Sequence, residues 1–230
     1  MTPLDNSAQV AGGNSAYRGM GMRGIGFALR HLNNLRILAL GYAPERFRPE
    51  QWEEAFESGS YDRLESIPER ARYSLIVGHC DVLNVRSILD VGCGQGVLAK
   101  RLGRVGYERY LGYDLSETAI GQARRDLPDQ RNTYVVATAD RFETEARFDL
   151  IVFNECLYYM DDPAAVMRRH LRFLAPGGHV TVSMYDTLRS RSLWPVLNML
   201  SAVEAVEIRF ETTARWTVKL MRPVEKAAQA

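Results

Sequence analysis

Residues 88–98 read Ile88-Leu89-Asp90-Val91-Gly92-Cys93-Gly94-Gln95-Gly96-Val97-Leu98. A short apolar run ends in a turn with glycine at every second position, and a helical pattern follows. That is the signature of a buried parallel strand delivering the chain to a ligand. Glycines there let a bound molecule approach the backbone, because no Cβ stands in the way. The helix start beyond the turn offers free N–H groups. Dinucleotide sites use a related turn, but their spacing is GxGxxG, whereas this one is GxGxG with Val97 next. Asp90, two positions before the first glycine, would repel a pyrophosphate and suit an ammonium.

Outward from this turn, β-rich runs alternate with helical stretches. Strands are expected at Ser87 to Val91, Tyr110 to Asp114, Thr133 to Ala137, Phe148 to Phe153 and His179 to Tyr185. Helices are expected at Val97 to Val105, Glu117 to Asp126, Pro163 to Leu174 and Leu193 to Val203. Strand–helix alternation predicts a parallel sheet covered on both faces. Val206, Ile208 and Phe210, then Trp216, Val218 and Leu220, alternate on either side of a turn at Thr212 to Ala214, which predicts a terminal hairpin. The fold class is therefore α/β: a Rossmann-like doubly wound sheet, mostly parallel with a C-terminal antiparallel hairpin, plus an N-terminal helical lid. Residues 1–20, rich in Gly, Ser and Asn, are expected to form a flexible arm and 21–67 a helical cap. Within that cap, apolar positions from Ile25 to Ala39 mark one helix, Pro49 to Phe56 a second, and Gly59 stops it. Pro68 opens a third helix that runs to about Leu83. The main α/β domain is expected over 68–223 and a tail over 224–230.

Composition excludes other classes. The 230 residues carry 29 Lys+Arg and 28 Asp+Glu, so no long-range pull on polyanions is built in. Three cysteines without CxxC spacing imply neither a disulfide framework nor a zinc site. The most apolar segment, Ile25 to Leu40, is interrupted by Arg30, His31, Asn33, Asn34 and Arg36, and cannot span a bilayer. A cytoplasmic protein without membrane or nucleic-acid partners is expected.

Two acidic positions accompany the glycine turn. Asp114 ends the second strand, 20 residues after Gly94, where a carboxylate accepts from ribose hydroxyls. Ser116 is a better N-cap for the following helix than Asp114, with Glu117 in its first turn. Asp140, in Ala139-Asp140-Arg141-Phe142, is placed to accept from an adenine amino group, with Phe142 or Ala139 against the ring; a plain turn role for it is nearly as well supported.

Taken together these stretches resemble the class I S-adenosylmethionine (SAM) dependent methyltransferases. LDVGCGQG (89–96) looks like that family's first motif, YDLS (113–116) its second, FDLIVFNECLYYMDDP (148–163) its active-site strand, and LRFLAPGGHVTVSMY (171–185) the turn before its fifth strand. QWEEAFESGSYDRL (51–64), ERARY (69–73) and NECLYYMDDP (154–163) are similar to small-molecule methyltransferases of the nodulation N-methyltransferase type. The resemblance implies that Gly92, Cys93, Gly94 and Gly96 line the methionine part of SAM, with Asp90 near its amino group. It implies that Asp114 holds the ribose, that Leu115 packs on the adenine and that Asp140 binds the adenine amino group, with Ser116, Ala139 and Arg141 among the cofactor-binding residues. Asn154 and Glu155 would lie beside the sulfonium. The Asn/Asp-Pro-Pro-Tyr box is absent and Cys156 lacks a preceding proline, which speaks against nucleic-acid methylation.

Glu155, Tyr158 and Tyr159 are the candidate catalytic residues, because all three follow the strand that carries the methyl site; core packing is an equal reading for the tyrosines. Tyr185, His31, Trp52 and Tyr61 are candidates for acceptor binding. Arg72 or Tyr73 is a candidate partner of the SAM carboxylate, and a solvent-facing arginine is as good a reading. His79, His170 and His179 are expected to be structural or superficial. No metal is expected, so activity should survive EDTA. The expected partner is a small-molecule acceptor, with an amine nitrogen preferred over a hydroxyl; a catalytically silent SAM-binding subunit and a homodimer stay open.

Overall fold

The computed structural model describes residues 47–103, 105–209 and 215–224. Seven strands form one sheet: β1 (Ser87–Val91), β2 (Arg109–Asp114), β3 (Asn132–Val136), β4 (Phe148–Asn154), β5 (Leu174–Tyr185), β6 (Ser201–Arg209) and β7 (Trp216–Pro223). Their order is β3-β2-β1-β4-β5-β7-β6. The first five run parallel, and β7 is antiparallel to both its neighbours. The mostly parallel sheet with a C-terminal antiparallel pair is thus as expected. Phe210 and the turn at 212–214 lie outside the described residues, as do the arm, the first cap helix and His31.

The order explains where a ligand belongs. From β1 the chain steps outward to β2 and β3, then returns to β4 on the other side of β1. The crevice at this reversal opens at the carboxyl ends of the strands. Register fixes what stands there. Val91 pairs with Tyr113 and with Phe153, so Asp114 and Asn154 are the next residues on either side of Gly92.

Side-chain alternation then builds two cores. Ile88, Tyr110, Leu150 and Val152 face α2 (Ile67–Val82) and the short helix α3 (Val97–Arg101). Leu89, Val91, Ile151 and Phe153 face α5 (Pro163–Leu171) and α6 (Leu188–Leu200). β1 is buried on both sides, as an internal parallel strand requires. Between these elements α1 (Pro49–Glu57) precedes the sheet and α4 (Glu117–Asp126) links β2 to β3.

Three helices differ from their expected bounds, each for a local reason. α3 stops at Arg101, not Val105, because the chain turns at Leu102 and Val105 N–H bonds Leu102 O; both side chains are buried without being helical. α5 stops at Leu171, not Leu174, since Leu174 already pairs with Phe148 in the sheet. α6 starts at Leu188 instead of Leu193 through a capping box of Thr187 and Ser190, and Ala202 and Val203 belong to β6.

Candidate functional site

A cavity of about 1120 Å³ opens at the sheet reversal. It is slightly larger than the ~300–1,000 Å³ of ordinary single-ligand pockets. Its floor is the β1 turn. Gly94 has φ +54°, a conformation only glycine takes without strain, and its N–H donates to Asp114 Oδ2 at 2.9 Å. Asp114 Oδ1 accepts from Ser116 N–H at 3.0 Å. Burial raises the Asp114 pKa, and these backbone donors oppose the rise.

Asp90 is buried at the back of this floor. Its Oδ2 accepts from Tyr110 Oη at 2.6 Å, while Oδ1 has no hydrogen-bond partner. Burial pushes its pKa up to about 7 against the Tyr110 hydrogen bond. Asn154 Oδ1 is likewise buried without a partner. Two bare acceptors therefore lie beside the glycine turn, where a buried polar atom costs stability unless something donates to it.

Arg72 supplies the complementary group. It is 1% exposed, which settles its reading against a solvent-facing arginine. Nη1 donates to Glu69 Oε2 at 2.6 Å, and Nε stands 4.0 Å from Glu155 Oε1 without making a hydrogen bond. The guanidinium carbon lies 4.4 Å from the Tyr73 ring centre and 5.7 Å from that of Trp216.

Glu155 is held from several sides. Ser183 Oγ donates to Oε1 at 3.0 Å; Tyr185 N–H and Tyr158 Oη donate to Oε2 at 2.9 and 2.8 Å. Its own backbone adopts φ +61°, strained for a side chain with a Cβ. Burial still raises its pKa, with Arg72 acting in the opposite direction. Glu155 and Tyr158 thus form a braced wall linking β4, β5 and α2. Tyr159 is different: it meets Trp52 edge-on at 4.8 Å and Phe47 at 5.6 Å.

The cover comes from α1. Phe56 is buried, and its ring lies 3.5 Å from where a Cβ on Gly94 would be. It stacks on Tyr61 at 4.6 Å, and Tyr61 stacks on Trp52 at 6.1 Å. Glu53, on the same helix, accepts from Ser116 Oγ, Glu117 N–H and Thr118 N–H at 2.9, 2.8 and 3.1 Å.

Most expected residues reach the cavity: Asp90, Gly92, Cys93, Gly94, Asp114, Leu115, Ala139, Asp140, Asn154, Glu155 and Arg72, with Tyr158, Tyr159, Tyr185, Trp52 and Tyr61. Gly96, Ser116 and Arg141 do not line it. Gly96 is the N-cap of α3 with φ +79°, a left-handed conformation that strains any residue with a Cβ, so its glycine serves the turn. Ser116 caps α4 by accepting from Ala119 N–H at 3.0 Å. Arg141 points to solvent. Phe142 is a core residue stacked on Tyr113 at 4.2 Å, which leaves Ala139 as the small residue at the rim. His170 is buried between Tyr113 Oη and Val166 O, its pKa pushed down to about 4 by burial. Glu53, Phe47 and Glu69 were not expected at the site; Glu53 meets residues 63 to 65 positions along the chain, too far for local spacing to show, whereas Glu69 pairs with Arg72 only three positions on.

Comparison with known proteins agrees with this architecture. The chain is 32% identical over 139 residues to the ubiquinone biosynthesis O-methyltransferase of Proteus mirabilis, covering 59% of this chain and 52% of that protein. It is 33% identical over 149 residues to the enzyme of the same name from Alkalilimnicola ehrlichii, covering 62% and 58%. The chain thus spans between half and three fifths of these relatives. Among solved structures, the N-methyltransferase NodS of Bradyrhizobium japonicum WM9, in complex with S-adenosyl-L-homocysteine, superposes with a TM-score of 0.65 at 22% identity, over 76% of this chain and 99% of that one. A TehB-like SAM-dependent methyltransferase of Corynebacterium glutamicum gives 0.57 at 21%, over 77% and 100%. The methyltransferase-domain family matches residues 42–214, well over half of the 230, and its match contains the glycine turn, both acidic strand ends and the cover helix. By that match the chain belongs to the methyltransferase-domain family.

Proposed function

We propose that this chain moves a methyl group from SAM to an amine nitrogen of a small molecule. The observation that carries the donor half is the set of buried, unpartnered polar atoms on the cavity floor: acceptors Asp90 Oδ1 and Asn154 Oδ1, and the donor Arg72 Nε. An amino-acid end complements them, its ammonium meeting the two oxygens and its carboxylate the guanidinium. Asp114 keeps lone pairs for ribose hydroxyls after accepting from Gly94 and Ser116. Asp140, 71% exposed at the rim, suits an adenine amino group.

SAM, when bound, supplies an electrophilic methyl carbon: the acceptor lone pair forms the new bond as carbon–sulfur breaks and its electron pair returns to sulfur. The chain has to align acceptor and methyl and exclude water, which can be worth roughly 7–11 kcal/mol. A neutral amine needs no base at that moment, provided its proton has been removed beforehand. Among the described lining residues there is no histidine, and Glu155 already accepts from three donors. The same wall carries seven carboxylates against four arginines, an excess that favours cations. Trp52 and Tyr159 add aromatic surface for the methylated ammonium. A hydroxyl acceptor is the second reading, favoured by the names of the relatives above, and it would require a proton acceptor at the site.

A panel of amines and phenols with methyl-labelled SAM, run with and without EDTA, tests this. Labelled amines, undiminished by chelation, are the expected result. Labelling confined to phenols moves the assignment to oxygen, and SAM binding without any labelled product favours the silent subunit. Among the described residues, no cluster of His, Cys, Asp or Glu suitable for a metal is present.

The pH dependence of cofactor binding follows from Asp90. With its pKa at about 7 in the free protein, well above the ordinary 3.8, the carboxyl is protonated below neutrality and ionised above. A ligand ammonium requires the ionised form. Affinity for S-adenosylhomocysteine should therefore fall about tenfold per pH unit below 7, until the lower bound-state pKa is passed, and level off above 7. Titration calorimetry from pH 5 to 8 reads this, and Asp90→Asn should flatten the profile.

A further inference from the structure

The cover helix is fastened by one carboxylate that no part of the methyl-transfer chemistry uses. Glu53 lies in the middle of α1, between Trp52 and Phe56, both of which face the cavity. Its oxygens do not face the cavity. They reach across to the start of α4, where they accept from Ser116 Oγ at 2.9 Å, Glu117 N–H at 2.8 Å and Thr118 N–H at 3.1 Å. Two of these donors are among the first N–H groups of α4, which have no partner within the helix. Negative charge is favoured there, at the positive end of a ten-residue helix. Burial alone would raise the Glu53 pKa, but the bonds from Thr118, Glu117 and Ser116 outweigh it and lower it. The carboxylate is therefore well matched to its seat.

That seat begins at the residue whose N–H also holds Asp114. Ser116 N–H donates to Asp114 Oδ1 while Ser116 Oγ donates to Glu53. One turn, 114–118, thus carries the carboxylate proposed for the ribose and the anchorage of the helix above it. On that helix Phe56 lies over Gly94, its ring 3.5 Å from where a Cβ would be, and the Gly94 N–H holds the other Asp114 oxygen. α1 cannot lift without releasing Glu53 and uncovering the glycine turn. We infer that Glu53 is a positioning residue: by tying α1 to the 114–118 turn it couples closure of the cavity to the geometry of Asp114, and so sets how fast the nucleoside ligand enters and leaves.

This inference rests on the SAM reading for its ligand, but the tie itself can be measured without one. The full chain and its Glu53→Ala and Glu53→Gln variants would be compared in two ways: amide hydrogen exchange over 49–57 and 114–118 in the free protein, and association and dissociation of S-adenosylhomocysteine by stopped flow. Losing hydrogen bonds to a charged acceptor should raise exchange over 49–57 in Glu53→Ala by about tenfold or more and speed dissociation by a similar factor. Association should also quicken, so that affinity changes less than either rate. Glu53→Gln, which keeps one acceptor oxygen, should fall between. A merely stabilising surface contact would lower the melting temperature without this selective loss over 49–57. Wild-type exchange at α1 in Glu53→Ala overturns the tie. Heightened exchange with unchanged ligand rates overturns its part in ligand exchange. If the unaltered chain binds no S-adenosylhomocysteine, the SAM reading fails, and the exchange data still decide whether Glu53 fastens α1.

Discussion

Replacing Asp114 with alanine is expected to cut affinity for S-adenosylhomocysteine by about 100-fold or more while the chain stays folded. The side chain ends β2 at the crevice, one residue beyond the Val91–Tyr113 pair. Its two oxygens already shape the floor, holding Gly94 N–H and Ser116 N–H. Its remaining lone pairs are those assigned to the ribose. Hydrogen bonds to a charged group contribute about 1.5–3 kcal/mol each, so losing two ribose contacts costs about 3–6 kcal/mol, and 1.4 kcal/mol is tenfold. The glycine turn also loses an anchor, which adds disorder where the ligand needs a fixed surface. Folding should suffer less, because the ionised carboxylate is itself penalised by burial: its pKa is raised, so at neutral pH its charge opposes the folded state. Asp114→Asn, which keeps one acceptor oxygen, should recover part of the affinity. Calorimetric titration beside a thermal melt separates binding from folding. Affinity in Asp114→Ala within about threefold of the unaltered chain would remove the ribose role.

The reason Asp90, Asp114 and Asn154 could be found without coordinates is geometric. Each sits at a strand's carboxyl end, and strand ends are written locally: an apolar run gives out and a glycine, an acid or an amide follows. β1 and α4 occupy the expected residues, 87–91 and 117–126. What local pattern could not show is pairing across the chain. Glu53 meets residues 63 to 65 positions away, and Glu155 and Arg72 are 83 apart; nothing in either neighbourhood announces the other. Neighbours in sequence also misled. Phe142 follows Asp140 by two residues, but its ring packs in the core against Tyr113, and of Phe142 and Ala139 only Ala139 lines the cavity rim. Apolar residues at Leu102 and Val105 extended a helical pattern that the chain ends with a turn. Burial, not helix formation, is what put them there.

Glu155→Ala should cause a large loss of stability, and the size of that loss separates a wall residue from a catalytic base. Ser183 Oγ, Tyr158 Oη and Tyr185 N–H would each lose their acceptor. Arg72, 1% exposed, would keep Glu69 at 2.6 Å but lose the second charge near it. Removing one member of a buried charged cluster costs about 3–5 kcal/mol; since Glu69 remains, and burial already raises the Glu155 pKa and so offsets part of the loss, the lower end applies. For a chain of 230 residues that is a fall in melting temperature of about 6–12 °C, at about 2–4 °C per kcal/mol. Alanine gains nothing from the backbone, since φ +61° is as unfavourable for it as for glutamate. Glu155→Gly would relieve that strain, and should be the more stable of the two by about 1 kcal/mol. The conservative Glu155→Gln keeps the shape and one acceptor, so its melting temperature should lie between those of Glu155→Ala and the unaltered chain. Its kcat on an amine should remain within about tenfold of the original, since general-base catalysis lost outright costs ~10²–10⁴. A Glu155→Gln enzyme that melts normally and loses a thousandfold in kcat would make this carboxylate the proton acceptor, and would bring the hydroxyl acceptor back to the front.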